Sequence, residues 1–226
     1  MSYYSRWSAV IGTSIFQRFL KYNYSLGLSD LGLLNKTVSF NEEGFSCLLC
    51  GVGNEKTAKT FIEFVIERNS KARIYIIDLG LEQVTAVNKL VEHHFKAYDI
   101  FVKQMNALDL KSFLNKGSLH WIETDGFLEF FTHSQLKNLL TIWHFLLKRH
   151  GFITIREPAG NNLFESMIDE FRVVMGKWWL GVKIYIHTVT DLQKLFADVG
   201  FKYVMHPTAV PTFRRFTMIK KSVLNN

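Results

Sequence analysis

The stretch that most constrains this chain is Phe45–Asn54, Phe-Ser-Cys-Leu-Leu-Cys-Gly-Val-Gly-Asn. A short apolar run stops at two glycines, and a polar, helix-compatible segment starts at Glu55. That order reads as strand, tight turn, helix. With no Cβ at the turn, backbone can approach a ligand closely, and the helix behind it aims its free N–H groups at the same spot. A second apolar run, Ile74-Tyr75-Ile76-Ile77, ends in Asp78, some 25 residues past the turn. An acid at the end of the second strand is the device that takes the ribose hydroxyls of an adenosine-containing cofactor. The turn and the acid together point to a nucleotide-type cofactor across the carboxyl ends of a parallel sheet. Glu55 and Lys56 stand where a dinucleotide fingerprint has its third glycine, and no Gly-Lys-Ser/Thr follows, which argues against a nucleoside triphosphate.

Beyond the turn, strand and helix patterns alternate. Strands are read over Phe45–Cys50, Arg73–Ile77, Tyr98–Lys103, Ser118–Glu123 and Phe152–Ile155, with helices over Glu55–Glu67, Leu81–His94 and Ser134–Arg149. The last of these is expected to close at His150-Gly151. Residues 161–179 read as an inserted helix rich in Phe, Met and Trp, 183–187 as a short strand or loop, and 190–199 as a helix between Thr188 or Thr190 and Gly200. Two final strands, Phe201–Met205 and Phe213–Ile219, are joined by a link too short for a helix, so they form an antiparallel hairpin at the sheet edge. The expected fold is therefore α/β and doubly wound: a mainly parallel seven-stranded sheet with helices on both faces and an antiparallel terminal hairpin. Residues 1–40 read as a helical cap or lid, with Trp7, Val10, Ile11, Ile15, Phe19 and Leu20 at helical spacing and Ser5 or Ser8 as its cap. A second short helix or loop follows. Residues 41–226 form the main domain, with the helical insertion at about 160–188.

Cys47 and Cys50 have redox-motif spacing, yet both lie inside an apolar strand and not at a helix start, so they read as core. No metal site is expected. No apolar run approaches the ~18 residues a spanning helix needs, and no export signal is visible, so the expectation is a cytoplasmic protein with no membrane span. A net charge of +7 permits nucleic-acid binding, but the basic residues are scattered, and a solvated basic surface is the preferred reading.

The pattern resembles the class I S-adenosylmethionine-dependent methyltransferases over residues 45–221. The matching pieces are Leu49-Cys50-Gly51-Val52-Gly53, Ile76-Ile77-Asp78, Asn106-Ala107, residues 121–128, residues 146–153, and Leu192–Phe201 ahead of the sixth strand. The resemblance implies S-adenosyl-L-methionine as cofactor. It places the backbone of Cys50, Gly51, Val52 and Gly53 by the methionine part, Asp78 on the ribose and Leu79 on the adenine. Asn106, Ala107 and Asp109 fall at the adenine edge, with Glu123 and Thr124 lining the site. The chain departs from the family's pattern at Leu49, where an acid is usual, and at Glu55, where a glycine is frequent; Glu55 or Glu123 would then take the cofactor's amino group.

For methyl transfer to an O or N atom, Asp125 is read as site-lining and His133 as the base, with Glu157 and His187 as further candidates. No Asn/Asp-Pro-Pro-aromatic or Pro-Cys motif follows the fourth strand, which argues against nucleic-base substrates. The aromatic insertion and N-terminus favour a small-molecule acceptor in a partly apolar pocket, with plain core packing of Met167, Met175, Trp178 and Trp179 as the competing reading. Two alternatives stay open: an inactive methyltransferase-fold binding or partner subunit, and an RNA or protein methyltransferase. A nicotinamide enzyme fits less well, because the glycine motif is short.

Overall fold

The computed structural model describes residues 12–221. Seven strands form one sheet: β1 (Ser46–Cys50), β2 (Arg73–Asp78), β3 (Ile100–Gln104), β4 (Leu119–Asp125), β5 (Leu147–Pro158), β6 (Phe201–Pro207) and β7 (Phe213–Lys220). Their order is β3-β2-β1-β4-β5-β7-β6. The first five pair in parallel, and β7 runs antiparallel to both β5 and β6. The order reverses between β1 and β4, and ligands of open α/β sheets bind outside the carboxyl ends at such a reversal. The doubly wound sheet and terminal hairpin expected from the pattern are present.

Among the described residues, six α-helices cover the sheet: α1 (Ser14–Leu33), α2 (Glu55–Ile66), α3 (Leu81–His94), α4 (His133–Leu146), α5 (Leu163–Met175) and α6 (Val189–Val199). Alternation along the strands sends side chains to two separate cores. Leu48, Ile122, Ile153 and Phe216 pack under α4 and α6 with Leu139, Trp143, Leu192 and Phe196. Cys47, Leu49, Ile76, Trp121 and Phe152 pack under α1, α2 and α3 with Leu20, Tyr24, Phe61 and Val87. Trp121 is the centre of the second core: its ring stacks on Phe152 at 5.6 Å and meets Phe61 at 4.9 Å.

Three local readings change. The helix and separate loop expected within the N-terminal segment are one 20-residue helix, capped by Thr13; Ser5, Trp7, Ser8, Val10 and Ile11 lie outside the described residues. Gly27 does not break α1. It lets the helix approach the sheet, since a Cβ there would stand 2.7 Å from Thr154 Cγ2. The fourth helix ends at Leu146 rather than Arg149, and residues 147–158 continue as strand, paired to β4 with a register shift between Leu119 and Trp121. Gly151 is therefore a strand residue, lying where a Cβ would meet the Leu119 carbonyl oxygen at 2.9 Å. Residues 182–187 form no strand; the Tyr185 N–H donates to the Glu129 carbonyl at 2.7 Å. No helix among the described residues is long and apolar enough to cross a membrane.

Candidate functional site

The β1–α2 turn is built as the sequence demands. Gly51 has φ +78, and its N–H donates to the Ile77 carbonyl at 2.9 Å. A Cβ on Gly51 would lie 2.5 Å from Phe127 Cδ2, so two constraints exclude a side chain at once. Asn54 caps α2 through a capping box with Thr57. The Asp78 carboxylate clamps the turn to the end of β2: one oxygen accepts the Val52 N–H and the other the Gly80 N–H, each at 2.7 Å. Burial pushes the Asp78 carboxyl upward, while these N–H groups pull it back. A carboxylate offers about four lone-pair sites, so acceptor capacity remains on the side facing solvent.

Around this turn lies a cleft of about 420 Å³, with two chemically distinct halves. One is lined by Gly51, Val52, Gly53, Asp78, Leu79, Asn106 and Ala107, together with Gln83, Met105 and Leu108. The other is lined by Asp125, Gly126, Phe127, Phe130, Phe131, Gln135 and Val182. Leu79 is 69% exposed and presents an apolar face at the mouth. The Asn106 side chain accepts the Leu108 N–H at 3.0 Å and so caps the short 3₁₀ turn at Ala107–Ser112.

The other sequence-predicted residues lie outside this lining. Cys50 is fully buried at the strand end, and its carbonyl accepts the Thr124 hydroxyl at 2.8 Å. Burial pushes the Cys47 and Cys50 thiols up, in keeping with core cysteines. Asp109 is exposed on its 3₁₀ turn. His133 is exposed as the first residue of α4, capped by Thr132, and does not reach the cleft. His187 is buried and within hydrogen-bond distance of the Phe131 carbonyl, 3.0 Å away, which is a structural position. Glu123 faces α1 and not the cleft. It accepts from the Thr154 hydroxyl, which in turn accepts the Trp121 Nε1–H at 2.6 Å. Leu49 pairs beside it in the same core.

Asp125 and Glu123 share one neighbouring cation, the buried Arg156. Asp125 takes the ion pair; burial raises its carboxyl, and Arg156 pulls it back. For Glu123 burial wins outright, pushing the carboxyl to about 8 against the opposing pull of Arg156. Glu157 is buried too. Its Oε1 accepts the N–H groups of Phe127 and Leu128 at 2.6 and 2.7 Å, while Oε2 has no partner among the described residues. Desolvation and the nearby Glu129 raise its carboxyl well above the usual range. Glu157 thus anchors the aromatic wall 127–131 from a buried position. Glu129 ties that wall to α5 through Arg172.

Residue type offers no cue to Phe127, Phe130, Phe131 and Gln135 as cleft residues. Their only signal is position, just past the fourth strand at the expected edge. No group of three or more His, Cys, Asp or Glu residues among the described residues is arranged to hold a metal ion.

No family model matches the sequence, and neither does any curated protein. Solved structures match by shape. An O-methyltransferase family protein from Burkholderia thailandensis has TM-score 0.61 at 14% identity, covering 89% of this chain and 59% of that one. The CMeT domain of the citrinin polyketide synthase has TM-score 0.64 at 15% identity, covering 95% and 59%. A SAM-dependent methyltransferase from Aquifex aeolicus has TM-score 0.53 at 16% identity, covering 86% and 92%. The chain thus spans about three fifths of the first two structures and most of the third. At these identities the likeness is one of fold, and the fold is that of the class I methyltransferases.

Proposed function

We propose that this protein is an S-adenosylmethionine-dependent methyltransferase acting on an O or N atom of a small acceptor with a flat apolar face. The observation that carries this reading is the two-sided cleft at the strand-order reversal: a glycine turn with Asp78 on one side, three phenylalanines on the other. The residues fit the cofactor. Asp78 retains acceptor capacity for two ribose hydroxyls, and Leu79 offers a surface for the adenine. Asn106 and Ala107 stand at the adenine edge. The bound donor supplies a sulfonium-activated methyl group for in-line displacement.

What the chain contributes is alignment and exclusion of water. Phe127, Phe130 and Phe131 bind a flat acceptor by ring contact. Asp125 is the ionisable residue on the acceptor side of the lining, so it receives the acceptor's proton or orients its O–H. Burial raises the Asp125 carboxyl above its ordinary value against the pull of Arg156, which favours proton acceptance. Among the described residues the lining holds no Lys or Arg, which disfavours a nucleic-acid acceptor despite the net charge.

A second reading, a methyltransferase-fold binding subunit without catalysis, is favoured by one observation: core-packed Leu49 replaces the usual acid. Incubating the protein with methyl-labelled cofactor and a panel of phenols, alkyl alcohols and amines separates the two. Label transferred to phenols, and lost in Asp125→Asn, supports the enzyme. Cofactor binding without transfer to any acceptor class supports the binding subunit.

A further inference from the structure

The first turn of α4 leaves one hydrogen-bond donor unspent at the cleft. Thr132 caps the helix, and its Oγ1 accepts the Gln135 N–H at 3.3 Å. The return bonds fall on a single atom: Gln135 Oε1 accepts the Thr132 N–H at 3.0 Å and the Thr132 hydroxyl at 2.9 Å. A backbone N–H needs an acceptor, so the amide atom held by Thr132 is the oxygen. The amide nitrogen, which carries two N–H groups, is the end left over, and it has no partner among the described residues. Gln135 is exposed and belongs to the acceptor half of the lining.

Donors are otherwise scarce on that side. An ionised Asp125 only accepts, and Gly126, Val182 and the three phenylalanines carry no polar side-chain atom. The backbone N–H groups of the lining beyond β4 are spent. Gly126 donates to the Arg156 carbonyl at 2.7 Å, and Phe127 donates to Glu157 at 2.6 Å. Phe130 donates to the Phe127 carbonyl at 3.3 Å, Phe131 to the Leu128 carbonyl at 3.1 Å and Val182 to the Gly176 carbonyl at 3.2 Å. A flat molecule held against these rings therefore meets one free donor beyond β4, the Gln135 amide.

We infer that Gln135 is a specificity residue whose Nε2–H donates to a neutral carbonyl oxygen on the acceptor, separate from the atom that takes the methyl group. The inference deepens the methyltransferase reading and rests on it for the identity of the acceptor half. The charge of the lining selects a carbonyl over a carboxylate. Asp125 shares this side of the lining, and no Lys or Arg lines the cleft, so an anionic oxygen would find no counter-charge there. Thr132 holds the amide by its oxygen, so the donor is oriented before the acceptor arrives. The bond replaces one to water, because Gln135 is exposed, so its net effect is that of an ordinary neutral hydrogen bond, about three- to tenfold in affinity.

Matched ligands test this without turnover. The ortho, meta and para hydroxyacetophenones and the corresponding ethylphenols differ by a carbonyl oxygen at nearly constant shape. Each is titrated calorimetrically into the full chain saturated with S-adenosylhomocysteine. The wild type is expected to bind at least one ketone about three- to tenfold more tightly than its ethyl counterpart. Gln135→Glu keeps an acceptor for the Thr132 N–H but loses the donor, and Gln135→Met loses the donor without adding charge. Both variants should bind ketone and ethyl compound alike, with Gln135→Glu melting at the wild-type temperature and both keeping wild-type affinity for S-adenosylhomocysteine. A merely structural role would weaken both members of a pair equally. Absence of binding or of any carbonyl preference in the wild type overturns the inference. So does a preference that survives in both variants, or a tenfold loss of S-adenosylhomocysteine affinity in them, which would assign the amide to the cofactor. Transfer from methyl-labelled cofactor is read separately. A carbonyl preference lost in the variants, without transfer to any ligand, would sink the enzyme reading and leave Gln135 as the binding determinant.

Discussion

Glu123→Gln should make the protein more stable at neutral pH and flatten its dependence on pH. Glu123 is 2% exposed, and the cation near it, Arg156, is taken by Asp125. Its carboxyl is pushed from an ordinary 4.5 to about 8 on folding. Between those values the folded chain holds a proton that the unfolded chain has released. The unfolded state then binds fewer protons, so stability falls as pH rises through that window. At about 1.36 kcal/mol per unit, the loss is about 3 kcal/mol at pH 7 and about 5 kcal/mol above pH 8, relative to acid. Glutamine keeps the acceptor oxygen for the Thr154 hydroxyl but has no proton to lose. Urea unfolding of both proteins from pH 5 to 8.5 gives the difference profile, in which other titrating groups cancel. The variant's advantage should be under about 1 kcal/mol at about pH 5 and grow to several kcal/mol by about pH 8.5. A pH-independent difference would refute the reasoning. So would loss of S-adenosylmethionine binding in Glu123→Gln, because Glu123 faces α1 and not the cleft.

Gly51→Ala combines a left-handed backbone with a 2.5 Å clash against Phe127, so it should cost about 2–4 kcal/mol and distort the acceptor wall, measured by thermal unfolding and by cofactor binding. Glu157→Gln keeps an acceptor for the Phe127 and Leu128 N–H groups and should change stability by less than about 1 kcal/mol, whereas Glu157→Leu orphans both and should cost about 2–4 kcal/mol in denaturant titration. Asp30→Ala removes the buried partner of Arg215, 2.8 Å away, along with an acceptor for the Thr217 hydroxyl. It should destabilise by about 3–5 kcal/mol, whereas an exposed pair such as Arg73–Asp99 should contribute under about 1 kcal/mol when tested by the same titration.

The sheet is legible in the sequence because its signals are local and periodic. Apolar runs ended by Gly51, Asp78 and Gly200 fix strand ends and turns with little help from tertiary context, and Thr188 marks the start of α6 by its capping box. The misread elements are those decided by packing. Gly27 looks like a breaker until Thr154 is seen beside it, and Lys148-Arg149 looks helical until Leu147 and Phe152 on either side are seen to pair with β4. The site divides in the same way. Asp78 and Gly51 announce themselves by residue type at a strand end, whereas Glu123 can be assigned to the cleft or to the core only by knowing which face α1 covers. His133 reads as a base from its proximity in sequence to β4, yet it is an exposed first residue of α4 and is not among the residues lining the cleft. Met167 and Trp178 fit neither sequence reading. They neither pack in the core nor line the cleft, because α5 is fastened by its charged side.

The most direct test of the central claim is calorimetric titration of S-adenosylmethionine and S-adenosylhomocysteine into the wild type and Asp78→Asn, with thermal unfolding of both as the control for folding. The account predicts micromolar binding of both ligands to the wild type and at least a hundredfold loss in a folded variant, because Asp78 supplies the ribose acceptors. A folded wild type that binds neither ligand, or a variant that binds as tightly as the wild type, would contradict it.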